Sequence, residues 1–201
     1  MRYFLFFSII ISLGYSLPGS HETFSPAEVF SNLVNDASKY ITNAAGAEEQ
    51  NNNREVIKLL DPYFDFDALF SRALRDHWKT VSAADQKRFI GRMTDLVRAM
   101  AYPLIKTFYA CIRYHISSVS DQNEETAVKI YNYDPARDLE FNTAYIMRRQ
   151  NSLWQVVDFE VDDSSLADSY RLQFNRLINK EGFPGLMKML DDKYESLKKP
   201  D

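Results

Sequence analysis

Leu153-Trp154-Gln155-Val156-Val157-Asp158-Phe159-Glu160-Val161 is β-branched or aromatic at most positions, and it closes the stretch that decides the fold. Working back from it, Leu139-x-Phe141-x-x-x-Tyr145-x-Met147, Val128-x-Ile130 and Ile112-x-Tyr114-x-Ile116 set apolar residues at alternate positions. That is the period of a half-buried strand. Asp134-Pro135-Ala136-Arg137-Asp138 and Arg149-Gln150-Asn151-Ser152 lie between these runs as turns. Strands joined by such short connections predict an antiparallel meander.

Outside this stretch the period is helical. Ser25-Pro26-Ala27-Glu28 combines a Ser cap, a Pro at the first helical position and a Glu that closes a capping box. Phe30, Leu33, Val34, Ala37, Ile41 and Ala44 then recur at helical spacing, with Gly46 as the expected end. Residues 47–53 carry no apolar periodicity and are expected to form an exposed loop before a short helix, Arg54–Leu60, that stops ahead of Pro62. Asp65 caps a helix carrying Phe66, Leu69, Phe70 and Leu74. Ser82 opens the longest expected helix, with an apolar face of Phe89, Met93, Leu96, Val97, Met100, Leu104 and Phe108. Asp163-Ser164 caps a helix with Leu166, Tyr170, Phe174, Leu177 and Ile178, closed by Gly182; Pro184 starts a final one with Leu186, Met187 and Leu190. Helices, then strands, then helices predict an α+β fold: one curved antiparallel sheet of about four strands with helices packed on one face. No repeat or linker divides residues 21–201, which are expected to form a single domain.

The chain begins with a short cationic start, the apolar run Tyr3–Leu13 and a small-residue exit toward Pro18-Gly19-Ser20. This pattern is that of a secretory signal peptide, assigned to residues 1–20. The run falls short of the roughly 20 residues a spanning helix needs, and the mature protein is expected to be soluble outside the cytoplasm. Against 24 Lys+Arg stand 28 Asp+Glu, a formal charge of −4, and removing residues 1–20 takes away only Arg2, so the mature charge is 23 − 28 = −5. With that sign and no basic stripe, nucleic acid is excluded as a default partner. A single cysteine excludes an internal disulfide and any cysteine-cluster metal site.

Catalytic patterns are thin. There is no His-Glu-x-x-His, no phosphate-cradling glycine loop and no Gly-x-Ser-x-Gly elbow. His21, His77 and His115 are expected to be surface or structural residues, and Cys111 a small buried hydrophobe. Asp158, inside an apolar strand, is the one odd acid. A buried carboxylate must be paired or protonated. Either it ties the strand to a helix, with Arg171 the expected partner, or it serves a small cavity enzyme as acid/base, with His115 as the other candidate. The remaining signal is apolar bulk. Met and aromatic side chains along the long helix and the last strand suit either an ordinary core or a lining for a flexible apolar ligand, and periodicity does not separate the two. A ligand-free secreted adaptor is the third reading.

Several stretches together resemble the MlaC family of periplasmic phospholipid carriers. They are Asp65-Phe66 followed by Trp78, Ala84-x-Gln86-x-x-Phe89, Trp154-Gln155-Val156-Val157-Asp158-Phe159-x-Val161, and Ser164-Ser165-Leu166-x-x-x-Tyr170-Arg171-x-Gln173-Phe174. The resemblance covers about residues 25–195. It departs from the usual pattern at Cys111, at the Asp162-Asp163 turn where a glycine is usual, and in the Asn-rich segment 50–53. The family implies a deep apolar cavity between sheet and helices that takes the tails of a glycerophospholipid, with the headgroup near its mouth. It also implies no enzymatic activity, no cofactor beyond lipid cargo, and no metal. The implied partners are an outer-membrane lipoprotein complex and an inner-membrane ABC transporter complex, met by a periplasmic monomer. From face and family, the expected lining is Phe66, Leu69, Phe70, Phe89, Met93, Val97, Met100, Val128, Ile130, Tyr145, Trp154, Val156, Tyr170, Phe174 and Leu186, with Asp158 and Arg171 holding the strand–helix corner.

Overall fold

The computed structural model describes residues 24–198, so the leader expected over residues 1–20 lies outside it, as does His21. The order is α1 (Pro26–Ser38), α2 (Ala47–Leu60), a 3-10 turn (Asp61–Tyr63), α3 (Phe66–Ala73), α4 (Ala83–Leu96), a π turn (Val97–Ala101), α5 (Tyr102–Cys111), β1 (Arg113–Gln122), β2 (Glu125–Asp134), β3 (Leu139–Gln150), β4 (Leu153–Val161), β5 (Ser164–Ser165) and α6 (Leu166–Leu197). The strands form one antiparallel sheet in the order β1-β2-β3-β4-β5, the expected meander extended by a two-residue strand. The α+β reading holds.

Turn chemistry sets the connections. Asn151 and Ser152 both have positive φ, as do Asp162 and Asp163, the backbone a two-residue hairpin requires. No glycine is needed at the second hairpin because Asp162 Oδ1 accepts from Asn142 N at 2.8 Å and its own N–H donates to Asn142 O at 2.9 Å. Acidic side chains tolerate this backbone when such local bonds hold them.

Helix starts follow their caps. Ser25 and Glu28 close the capping box, and Asp65 and Ser82 accept from Ala68 N and Asp85 N. Two boundaries differ from expectation. Helix α1 ends at Ser38, and Gly46 caps the start of α2 instead of ending α1. Residues 47–53 are helical, not a loop, because Glu49 accepts from Ala45 N and Gly46 N and acidic residues suit a helix amino terminus. The buried face of α2 is Asn53, Val56 and Leu60, so a polar residue occupies the position that periodicity needed to be apolar. Asn53 is buried because it both accepts from Ile41 N and donates to Ile41 O, each at 2.8 Å, clamping the α1–α2 connection.

The long helix also differs. The π turn before Pro103 inserts an extra residue between α4 and α5 and rotates the helix face. Phe89, Met93 and Leu96 point inward as expected, but beyond the turn Tyr102 and Tyr109 take the inner positions. Met100 and Leu104 turn out to solvent, 38 % and 61 % exposed. Gly182 breaks α6 at φ 73 and ψ 174, with Pro184 just after, where one helix was expected to close and the next to begin.

The inner face of the sheet carries Val128, Ile130, Tyr145, Met147 and Val156 and packs on α1 and α5. Val156 and Val157 face opposite sides by strand alternation, and an extra residue in β4 at Val157 shifts the register so that Asp158 pairs with outer-face Ile146. Val157 joins Ala127, Ala144 and Ile146 on the outer face, where Ala68 of α3 meets them. Among the described residues no helix is long and apolar enough to cross a membrane.

Candidate functional site

The expected lining residues fall into two clusters. Val128, Ile130, Tyr145, Trp154 and Val156 lie on the inner face of the sheet against Phe30 and Leu33 of α1 and Tyr109 of α5. Phe66, Leu69, Phe70, Phe89, Met93, Val97, Tyr170, Phe174 and Leu186 lie between α3, α4 and α6. A third group, Leu60, Tyr102 and Val56 with Phe64, Phe66, Val97 and Ile105 packed on it, joins them. Met100 belongs to none of these, because the π turn directs it outward.

The junction is aromatic. Phe64 stacks on Phe66 at 5.6 Å and leans on Tyr102 at 5.8 Å. Phe66 stacks on Phe70 at 5.8 Å, which meets Phe89 and through it Phe174 and Tyr170. Phe64 is pinned to the sheet by a bridge to Val156, and Asp65 N donates to Val156 O at 3.0 Å. One apolar seam therefore runs from the inner face of the sheet to the α3–α4–α6 cluster. Its side chains close on each other by direct contact. Phe64 and Tyr102 escaped the sequence reading: Phe64 lies in the five-residue link 61–65 between α2 and α3, too short for periodicity, and Tyr102 becomes inward only through the π turn.

A polar brace holds the seam at Tyr102. Arg98 makes two bonds to Asp61, at 3.2 and 2.6 Å, and Tyr102 Oη donates to Asp61 Oδ1 at 2.9 Å. Burial, then the neighbouring Asp61 charge, pushes the Tyr102 phenol well above its ordinary value, so it stays a donor at neutral pH. Burial also raises Tyr109, to about 12, and drives Tyr145 well up.

Asp158 holds the corner between β4 and α6, but not through Arg171. It accepts from Phe159 N at 2.8 Å, Ser165 Oγ at 2.6 Å and Ala167 N at 3.2 Å. The amino terminus of α6 supplies the positive potential that an arginine was expected to bring. Arg171 instead reaches Asp168 at 3.0 Å and Asp76 at 3.7 Å, tying α6 to the α3–α4 connection. Three donors thus meet the two oxygens of Asp158. His115 on β1 leans on Tyr131 at 5.1 Å, three strands and roughly 14 Å from β4. The two acid/base candidates are not brought together. Cys111 is exposed at the end of α5, not buried, since it is the last helical residue before the chain enters β1.

Two open surface grooves occur among the described residues, and no expected lining residue borders either. One, of about 420 Å³, lies between the α1–α2 connection and Pro103. The other, of about 490 Å³, lies between His77–Asp85 and the α6 kink at Phe183-Pro184. No cluster of metal-binding side chains occurs among the described residues.

No curated protein matches the chain. Among solved structures it is similar to the phospholipid-binding protein from Ralstonia solanacearum, solved in complex with a phospholipid, at a TM-score of 0.69 and 17 % identity over 88 % of this chain and 100 % of that one. At that identity the likeness speaks for the fold. The model of the MlaC protein family matches residues 29–192, nearly all of the described structure, and the chain therefore belongs to the MlaC family.

Proposed function

We propose that this chain is a binding protein of the periplasm that encloses the acyl chains of a glycerophospholipid and carries the lipid between the outer and inner membranes. The observation that carries the reading is the continuous apolar seam from Val128, Ile130 and Val156 on the sheet through Phe64 and Phe66 to Phe89 and Phe174. It lies in a fold shared with a protein solved holding a phospholipid.

Exposing two chains of about 16 carbons to water costs roughly 25 kcal/mol at about 0.8 kcal/mol per methylene, so a carrier must surround them almost fully. Tails enter this seam by parting the helices from the sheet. Met93, Met147 and Met187 lie along it, and thioether side chains repack around a flexible guest at low cost. In this proposal residues 1–20 direct export, an outer-membrane lipoprotein complex and an inner-membrane ABC transporter exchange the lipid, and the carrier is a monomer.

The direct contact of the seam's side chains with one another favours a second reading, a ligand-free adaptor. One experiment separates the two. The full chain is expressed with its leader, purified from the periplasm and analysed by native mass spectrometry. The carrier reading expects co-purified phospholipid near one per chain, exchangeable with liposomes. Empty protein that takes up nothing from liposomes refutes it and leaves the adaptor.

A further inference from the structure

Within the apolar seam lies one polar island on the inner face of the sheet. Asn132 is 0 % exposed, Thr143 3 %, Tyr145 4 % and Tyr109 9 %, so solvent does not serve their polar atoms. Asn132 Nδ2 donates toward Thr143 Oγ1 at 3.0 Å, Ile130 O at 3.2 Å and Phe141 O at 3.4 Å. The two backbone carbonyls fix the amide orientation, because only a donor suits them. Asn132 Oδ1 is then buried with no donor. Tyr109 and Tyr145 share one bond, Oη to Oη, at 3.2 Å, and Thr143 Oγ1 accepts the Asn132 amide at 3.0 Å. Two phenol protons thus share a single hydroxyl–hydroxyl link, and among the described residues the second proton has no acceptor.

One acceptor lacking a donor beside one donor lacking an acceptor is the complement of a single hydroxyl group. Buried polar atoms are nearly always satisfied, so the unmet pair points to an occupant. Rings surround the island: Phe30 meets Tyr109, Tyr114 and Tyr145, while Phe108 meets Tyr109 and Phe141. All four polar members are neutral, and an apolar cage without a counter-charge rejects phosphate and ammonium, which are too costly to bury unpaired.

We propose that Asn132, Thr143, Tyr109 and Tyr145 form a subsite for one neutral alcohol group adjoining an acyl chain, so that lipids with a free hydroxyl next to the tail bind in preference to lipids without one. The inference rests on the carrier reading. In it Asn132 Oδ1 accepts the alcohol proton, and the alcohol oxygen accepts the spare phenol proton.

The test is a competition between lysophosphatidylcholine, with its free glycerol hydroxyl, and the same lipid with that hydroxyl methylated, read by native mass spectrometry of the full mature chain. A diacyl phosphatidylcholine arm runs in parallel. Wild type is expected to favour the free hydroxyl roughly tenfold, since methylation leaves two buried groups unpaired. Asn132→Leu is expected to bring the ratio to about one. Thr143→Val, which removes one link and keeps the shape, serves if the Leu variant does not fold, and is expected to lower the ratio as well. Equal binding of the two lipids by wild type overturns the subsite and assigns the unmet pair to ordered water, while diacyl loading keeps the carrier reading intact. A preference that survives in a folded variant also overturns it. Loading of no lipid at all overturns both readings.

Discussion

Replacing Asp158 by Asn tests the strand–helix corner with almost no change of shape. In the native corner Oδ1 accepts from Phe159 N and Ala167 N, and Oδ2 accepts from the Ser165 hydroxyl. The amide carbonyl retains both backbone donors, but as a neutral acceptor it weakens each bond by about 1 kcal/mol. The amide nitrogen now faces Ser165 Oγ, which already accepts from Asp168 N, and the serine proton loses its acceptor. Loss of a negative charge at the amino terminus of α6 removes a further 0.5–1 kcal/mol, roughly. The sum is about 3 kcal/mol. At about 2–4 °C per kcal/mol for a chain of this size, Tm falls by about 6–12 °C. Thermal unfolding followed by circular dichroism measures it, with Arg171→Ala as the control. Arg171 does not touch Asp158, so the control leaves Tm nearly unchanged. A native Tm in the Asn variant, or an equal fall in the Arg171 variant, would show that the corner is not held this way. A catalytic Asp158 predicts the reverse pattern, lost turnover at native stability.

Three further outcomes are expected. Val97→Trp places an indole in the π turn, where Val97 packs on both the α3–α4–α6 cluster and the Tyr102 group; it lowers phospholipid loading severalfold in native mass spectra while the circular dichroism spectrum stays native. Gly182→Ala puts a side chain where φ 73 and ψ 174 admit essentially glycine alone, with the new Cβ 3.4 Å from Pro184 Cδ; it costs about 1–3 kcal/mol in a denaturant titration. Glu125 accepts from Arg72 and from Arg148, and these hydrogen bonds and charges outweigh desolvation and hold its carboxyl below 4.5. A depressed folded value means stability that is present above the unfolded value and lost as pH falls through the folded one. The Tm gap between wild type and Glu125→Gln is therefore full at neutral pH and closes in acid below about pH 4.5; a gap independent of pH contradicts the ion-pair account.

Patterns that act within a few residues were legible without coordinates. Period-two alternation marked the strands, and the caps at Ser25, Asp65 and Ser82 marked helix starts, because the physics of a cap or a pleat is complete within one turn or one strand. Gly182 with Pro184 announced the break in α6 for the same reason. Where a distant partner decides, the reading failed. Residues 47–53 looked like a loop because Asn53 earns its buried place only by bonding to Ile41, twelve residues away. Met100 looked inward until one extra residue at the π turn rotated the helix.

By itself the sequence determined the strands, the capped helix starts and, through its resemblance, the family. Local sterics and hydrophobic period settle those matters. Tertiary structure alone decided that the lining splits into two clusters joined at Phe64, Phe66 and Tyr102, that Asp158 rests under a helix terminus and not against Arg171, and that Asn132 keeps an unmet acceptor inside the seam. Periodicity states that a residue turns away from water; whether it then meets a neighbour, a lipid tail or nothing depends on the distance between elements remote in sequence.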